Sequence, residues 1–315
     1  MRLVLPLVLI VFVFFAASLL IGPAGIGVWE GLSALFTMDE SPQAMVMREI
    51  RLPRALLAVM IGAGLGMSGA AMQGYLRNPL AEPGLIGVSG SAALGAVIAI
   101  QTGAAKAFAL ALPMAALAGA LGGVLVVVAL AGPRGTSLTL ILAGIAVSAM
   151  AGALTSLVLN LFWMMGSLAD RSMTHVWLAL PFMVIGGGLL AATGRGLDAM
   201  TLGEDAAEAM GISMGQLRLA VVVGTACIVG AGTAVAGAIG FVGLVVPHVL
   251  RPLVGGRPGR LLWASALGGA AMLLAADIAV RIVLPERDLK LGVLTALVGA
   301  PLFLHLILKL RGARI

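Results

Sequence analysis

Residues 51–73 read RLPRALLAVMIGAGLGMSGAAMQ, and no charge follows Arg54 until Arg77. A helix needs about 20 mainly apolar residues to cross a bilayer, and this stretch supplies them. Along it Ala58, Gly62, Gly66 and Ala70 recur at every fourth position, so one helix face is nearly bare backbone. Lipid is as apolar as leucine, so such a face gains its stabilisation from close helix–helix contact; it predicts a bundle interface. The same spacing recurs at Ala111, Ala115, Gly119 and Gly123.

Outward from this segment the pattern repeats. The 315 residues are 61% hydrophobic and only 10% charged, with a mean hydropathy of +1.14. A soluble fold has too little interior for that much apolar surface, which makes the membrane the solvent. Ten candidate spans fall at 3–22, 51–73, 85–102, 107–131, 138–160, 176–194, 216–237, 241–252, 261–283 and 290–309. The eighth is short, a partial or tilted crossing beside irregular Gly-rich backbone that only a protein bundle shelters. Alternating ten-residue segments, the mark of an outer-membrane barrel, are absent. The first span is longer than a signal-peptide core, and Ile21-Gly22-Pro23 is a poor cleavage site, so it reads as a helix.

The net charge of +6 would suggest nucleic acid in a soluble protein. Here the basic residues lie beside the spans, where they set orientation and meet lipid headgroups. Their distribution weakly favours cytoplasmic N- and C-termini and leaves Arg51, Arg54 and Arg281 outside. Cys227 is the single cysteine, reads as packing and excludes an intrachain disulfide.

Polarity gathers where spans break. Asn78-Pro79 and Glu82-Pro83 remove backbone donors and push their predecessors out of helical geometry, predicting a rigid turn over Tyr75 to Pro83. Gly237, Gly240, Gly243 and Pro247 mark a second break, of the kind found beside transport sites. The segment Arg195 to Met214 carries Asp198, Glu204, Asp205 and Glu208; Gly203 and Gly211 are placed to begin and end a short amphipathic helix, a handle for a soluble partner.

Catalytic chemistry is missing. None of Lys106, Lys290 and Lys309 follows a phosphate-loop pattern, so nucleotide hydrolysis must belong to another chain. His175, His248 and His305 are too scattered for a metal site. His248, after Pro247 at an expected helix start, reads as a structural hydrogen-bonding group. Asp277, an ionisable group inside an apolar run, must find a partner or water; it either orients a loop or touches the pathway.

Several stretches together resemble the FecCD family, the permease subunits of ABC importers for iron-siderophores, haem and cobalamin. They are Arg51-Leu52-Pro53-Arg54, Gln73 with Arg77 to Gly84, Leu202-Gly203-Glu204 with Gly211, Gly240 to His248 with Arg251, Ala276-Asp277 with Arg281, and Gly292 through Gly299-Ala300-Pro301. The resemblance runs from about residue 45 to 310, with the motifs in family order. It implies an all-α, type II ABC importer permease fold with ten transmembrane helices per subunit, residues 1–315 forming one transmembrane domain. It also implies a second permease subunit, most simply a homodimer, with two cytoplasmic ATPase subunits and an extracytoplasmic binding protein in the inner membrane. ATP and magnesium would sit in the ATPase, with no cofactor in this chain.

Carried onto these residues, the resemblance makes 195–214 a coupling loop, with Leu202, Gly203, Glu204, Ala207 and Gly211 meeting the ATPase. Arg51, Arg54 and Arg281 would meet glutamates on the binding protein. Gln73, Asn78, Pro79, Glu82, Pro83, Gly240, Gly243, Pro247, His248 and Asp277 would be structural or gating. Asp288 and Lys290 stand where the family has glutamate and proline, which blurs the start of the last helix. The competing reading is an ion-gradient-driven secondary transporter, for which Asp277 is the one strongly placed carboxylate.

Overall fold

The computed structural model describes residues 3–22, 25–36, 41–79, 81–108, 110–132, 137–158, 166–283, 290–297 and 299, and every regular element among them is helical. The chain opens with α1 (Val4–Leu20) and the short surface helix α2 (Val28–Phe36). Next, α3 (Pro42–Met45) passes through a π turn (Val46–Arg51) into α4 (Leu52–Tyr75), a continuous 34-residue rod. A 3₁₀ turn (Pro83–Ile86) leads to α5 (Val88–Gln101), followed by α6 (Ala104–Ala107), α7 (Ala111–Ala131), α8 (Ser137–Val158) and α9 (Met173–Ala192). Then come α10 (Gly194–Met200), α11 (Glu204–Ala209), α12 (Met214–Ala236), α13 (Val242–Leu250) and α14 (Pro258–Val283). A further helical stretch covers 291–297.

Among the described residues five helices are long and apolar enough to cross a membrane, ending at Tyr75, Ala131, Ala192, Ala236 and Ile282. These match five of the ten expected spans, and α8, with 22 residues, lies at a sixth. α1 has 17 residues and α5 has 14, which at about 1.5 Å per residue gives α5 about 21 Å against a hydrocarbon core of about 30 Å. α13, the expected eighth span, has nine residues. Most of the expected tenth lies outside the described residues.

The helix α4 stands at the centre, packed on α14, α13, α12 and α9, while α5, α7 and α8 form a second group joined to it through α12. The small-residue stripes make the contacts. A Cβ on Gly62 or Gly66 would collide with the backbone of Gly269 or Ser265 on α14. On α7 a Cβ at Gly119 would strike Ser91 of α5, and one at Gly95 would strike Ala115. Backbones this close exchange dispersion along their full length, the source of cohesion available when lipid surrounds the bundle.

Helix ends follow local chemistry. Ser213 caps α12 through the Gln216 N–H, and α12 stops at Gly237, with φ +76°. The end of α4 is a Schellman arrangement in which Arg77 takes the left-handed position (φ +47°) and the Asn78 N–H returns to the Gln73 carbonyl at 3.2 Å. Pro79 then prevents further helix. Both motif-bearing stretches are thereby delivered to the end of the bundle where α4 finishes.

Candidate functional site

Two charged regions occupy opposite ends of α4. At its N-terminal end, α1 finishes at Leu20 without a basic residue in its last turn, leaving bare carbonyls. Two arginines from elsewhere cover them. Arg51 Nη1 donates to the Leu19 and Leu20 carbonyls at 2.9 and 3.0 Å, and Arg281 Nη1 donates to the Ser18 and Ile21 carbonyls at 2.9 and 2.8 Å. Arg281 also reaches Ser18 Oγ at 2.7 Å. A helix C-terminus carries about half a negative charge, so guanidinium groups there are stabilised by the dipole as well as by hydrogen bonds.

Asp277 completes this region. Its carboxylate accepts from Arg54 Nε at 2.8 Å and pairs with Arg281 Nη2 at 3.0 Å. Asp277 is fully buried and Arg51 is 4% exposed. The three expected docking arginines are therefore turned inward, tying α1, α4 and α14 together. Asp277, placed between two guanidiniums, has the charge-assisted partners that its burial requires.

At the other end of α4, Gln73 solves a problem set by a proline. Pro247 sits inside α13, where it has no N–H to give to the Gly243 carbonyl one turn back. Gln73 Nε2 points at the Gly243 and Leu244 carbonyls, at 3.4 and 3.3 Å. Its Oε1 in turn accepts from Arg251 Nη2 at 2.6 Å. One amide thus joins α4 to both the interior and the end of α13. The expectation that His248 lies at a helix start is corrected: α13 begins at Val242 and His248 is in its last turn, because Gln73 lets the helix run through Pro247.

The start of α13 is held by Glu82, whose Oε1 accepts the Phe241 N–H at 2.6 Å. Phe241 has φ +68°, uncommon for a side chain of that bulk, and a carboxylate on the first free N–H groups of a helix is favoured. Burial pushes the Glu82 carboxyl up from its ordinary value, and the Phe241 hydrogen bond opposes that shift. Gly240 lies beside Glu82, and a Cβ on Gly243 would come within 2.8 Å of Pro83. The two breaks read in the sequence, around Pro79–Pro83 and around Gly240–Pro247, are thus in contact. Phe241 and Arg251 were not singled out as site residues; the signal was a proline six residues into an apolar run, which demands outside donors for the carbonyls it strands.

The acidic segment lies at this same end. Asp198 Oδ1 accepts the Gly259 N–H at 2.8 Å, fixing α10 against the start of α14. The segment expected to be loop thus contains α10 as well as the short helix, α11, which runs between Gly203 (φ +109°) and Gly211 (φ +83°). Ala207 is completely buried and anchors α11. Glu204, Asp205 and Glu208 face outward beside Leu202 and Met210, whose side chains are 69% and 62% exposed. Among the described residues no group of three or more His, Cys, Asp or Glu is arranged to hold a metal ion.

A multi-pass helical bundle with a broken-helix contact and an exposed acidic handle defines a membrane permease. Residues 9–309 match the FecCD transport family, and the chain belongs to it. It is the permease subunit of an ABC importer of the inner membrane, not an enzyme, and is driven by a separate ATPase. It is 40% identical over 283 residues to the cobalamin import system permease protein BtuC of Halobacterium salinarum, covering 86% of this chain and 75% of that one. It is 38% identical over 275 residues to the Fe(3+) dicitrate transport system permease protein FecD of Escherichia coli, covering 84% and 86%. A solved structure described as an inward-facing conformation of a metal-chelate type ABC transporter superposes with a TM-score of 0.85 at 32% identity, over 98% of this chain and 99% of that one.

Proposed function

We propose that this permease moves a bulky metal chelate or corrinoid, of the iron-siderophore, haem or cobalamin class, with ferric siderophore as the first candidate. The relatives that carry cobalamin and ferric dicitrate, at 38–40% identity, support that class. In this reading the working unit is a homodimer of type II fold with ten transmembrane helices per subunit and residues 1–315 as one domain. Two ATPases sit on the cytoplasmic face with both chain termini, and a binding protein delivers cargo outside.

The observation that carries the coupling assignment is the split personality of α11, buried at Ala207 and exposed at Leu202, Glu204, Glu208 and Met210. An acidic rim around two apolar side chains suits a protein interface with a basic cleft. We assign residues 195–214 as the coupling segment, with Gly203 and Gly211 as its hinges. Arg51, Arg54 and Arg281 form the positive floor of the outer docking face, fixed by Asp277 and the end of α1, rather than fingers reaching into the binding protein. Gln73, Asn78, Pro79, Glu82, Pro83, Gly240, Gly243, Pro247 and His248 form the joint between α4 and α13, the element whose two arrangements open and close the path.

The test is ATP hydrolysis and uptake in liposomes containing this chain and its ATPase, with the binding protein loaded in turn with ferric siderophore, haem or cobalamin. Stimulation by one cargo, accompanied by its uptake, is expected. Uptake that follows an ion gradient and persists without the ATPase overturns the proposal.

A further inference from the structure

A groove of about 940 Å³ opens on the outside of the bundle between α1, α14 and α4, at the end where α14 begins. Its walls are apolar, with Val8 from α1, Val59 and Ala63 from α4, and Trp263 and Ala270 from α14; Arg260 stands at its mouth. The floor from Arg260 to Ala270 is ten residues of helix, about 15 Å, which is half of a hydrocarbon core of about 30 Å. The groove therefore has the depth of one leaflet.

Charge and polarity along it are ordered as in a lipid. Arg260 lines the groove and Arg257 lies three residues before it in the chain; both are exposed, and among the described residues their side chains make no hydrogen bond or ion pair. Asp198, the acid fixed at this end of α14, is engaged with the Gly259 N–H. One turn below Arg260, Trp263 is 56% exposed, at the level where aromatic rings sit in a bilayer interface. Below that the lining is aliphatic, with Val8 and Val11 of α1 facing Leu267 and Ala270 of α14 across the groove.

We propose that this groove binds one anionic glycerophospholipid, its phosphate paired with Arg260 and Arg257 and one acyl chain lying along α1 and α14. Basic pockets between membrane helices recognise acidic headgroups, and the apolar groove holds the chain that a soluble anion lacks. Because α10 is fixed to the start of α14, the bound lipid braces the coupling segment from the side. The site is independent of which cargo the permease moves.

The experiment uses the full chain assembled with its ATPase in nanodiscs. Two versions each retain one tryptophan, Trp263 or the 65% exposed Trp177 on α9, with the other three of the four replaced by phenylalanine. Fluorescence quenching is titrated with bromine-labelled phosphatidylglycerol or phosphatidylcholine. Trp263 is expected to be half-quenched at about fivefold lower mole fraction of the anionic lipid, and Trp177 equally by both. In the Arg257→Gln/Arg260→Gln variant the preference at Trp263 disappears. Native mass spectrometry of the chain with all its tryptophans gives a parallel reading, with more retained phosphatidylglycerol than on the double variant. Equal quenching at Trp263, a preference that survives the double substitution, or quenching that appears only when the complex is split into single chains overturns the proposal, the last because a protein then fills the groove.

Discussion

The two ends of α4 use charge in opposite ways. At the N-terminal end Arg51, Arg54 and Arg281 turn inward onto one carboxylate and the bare end of α1. At the C-terminal end Glu204, Asp205 and Glu208 project outward, and the inner joint is held by the neutral Gln73 together with Glu82. The first arrangement holds helices together; the second leaves the acids exposed, as the proposed coupling role requires. Residue type alone does not separate these roles, since isolated charges beside membrane spans serve both.

Substitutions that collapse this contrast rank by how much each leaves buried and unpaired. Asp277→Ala strands two guanidiniums at once and is expected to cost about 3–5 kcal/mol, read as a lower unfolding midpoint in detergent. A midpoint equal to the parent would mean that the arginines are solvated and the inner lock is not one. Gly66→Val, placed against the Ser265 backbone, is expected to cost about 3 kcal/mol by overpacking. Gly122→Val on α7, where a Cβ meets nothing within 4 Å, should stay within about 0.5 kcal/mol. If the two valines behave alike, close backbone contact is not what joins α4 to α14.

Gln73→Leu keeps the volume but removes both donors, stranding the Gly243 and Leu244 carbonyls and the Arg251 head; about 2 kcal/mol is expected. Gln73→Glu restores an acceptor for Arg251 without the donors and separates the two halves of the joint. An equally small effect on stability is expected of Glu204→Lys/Glu208→Lys, within about 0.5 kcal/mol, because both side chains are exposed. Uptake driven by ATP is nevertheless expected to fall about tenfold, the scale of charge pairs lost at an interface. Stability loss without loss of uptake would reverse the assignment of the two ends.

Much of this was legible in the chain before folding. Hydropathy located α4, α7 and α12, the four-residue spacing of small side chains marked the faces of α4 and α7 that pack closely, though not their partners α14 and α5, and Gly203 and Gly211 bracketed α11. Hydropathy is additive along the sequence, and helix breaking is local, so both survive without tertiary information. The inward turn of the arginines did not survive that restriction. Arg51 is directed by the end of α1, whose Leu19-Leu20-Ile21 finish offers carbonyls and no cap of its own, and Arg281 reaches the same spot from 260 residues away. His248 was misread as lying at a helix start for a similar reason: Pro247 breaks an isolated helix, and Gln73 on another helix lets this one continue.

The reach of Arg281 to the end of α1 bears on how the protein is made. The Arg51 contact to the Leu19 carbonyl becomes possible 32 residues later in the chain, whereas the Arg281 contact to the Ser18 carbonyl waits for 263 residues. At about 5–20 residues per second that interval is roughly 13–50 s. For that time the first helix lies in the bilayer with its end half covered, and the translocation machinery or lipid headgroups must satisfy the remaining carbonyls. A ribosome stalled before Arg281 should therefore hold a first helix that is inserted but still exchangeable, and α14, which emerges late, is the one that secures the first.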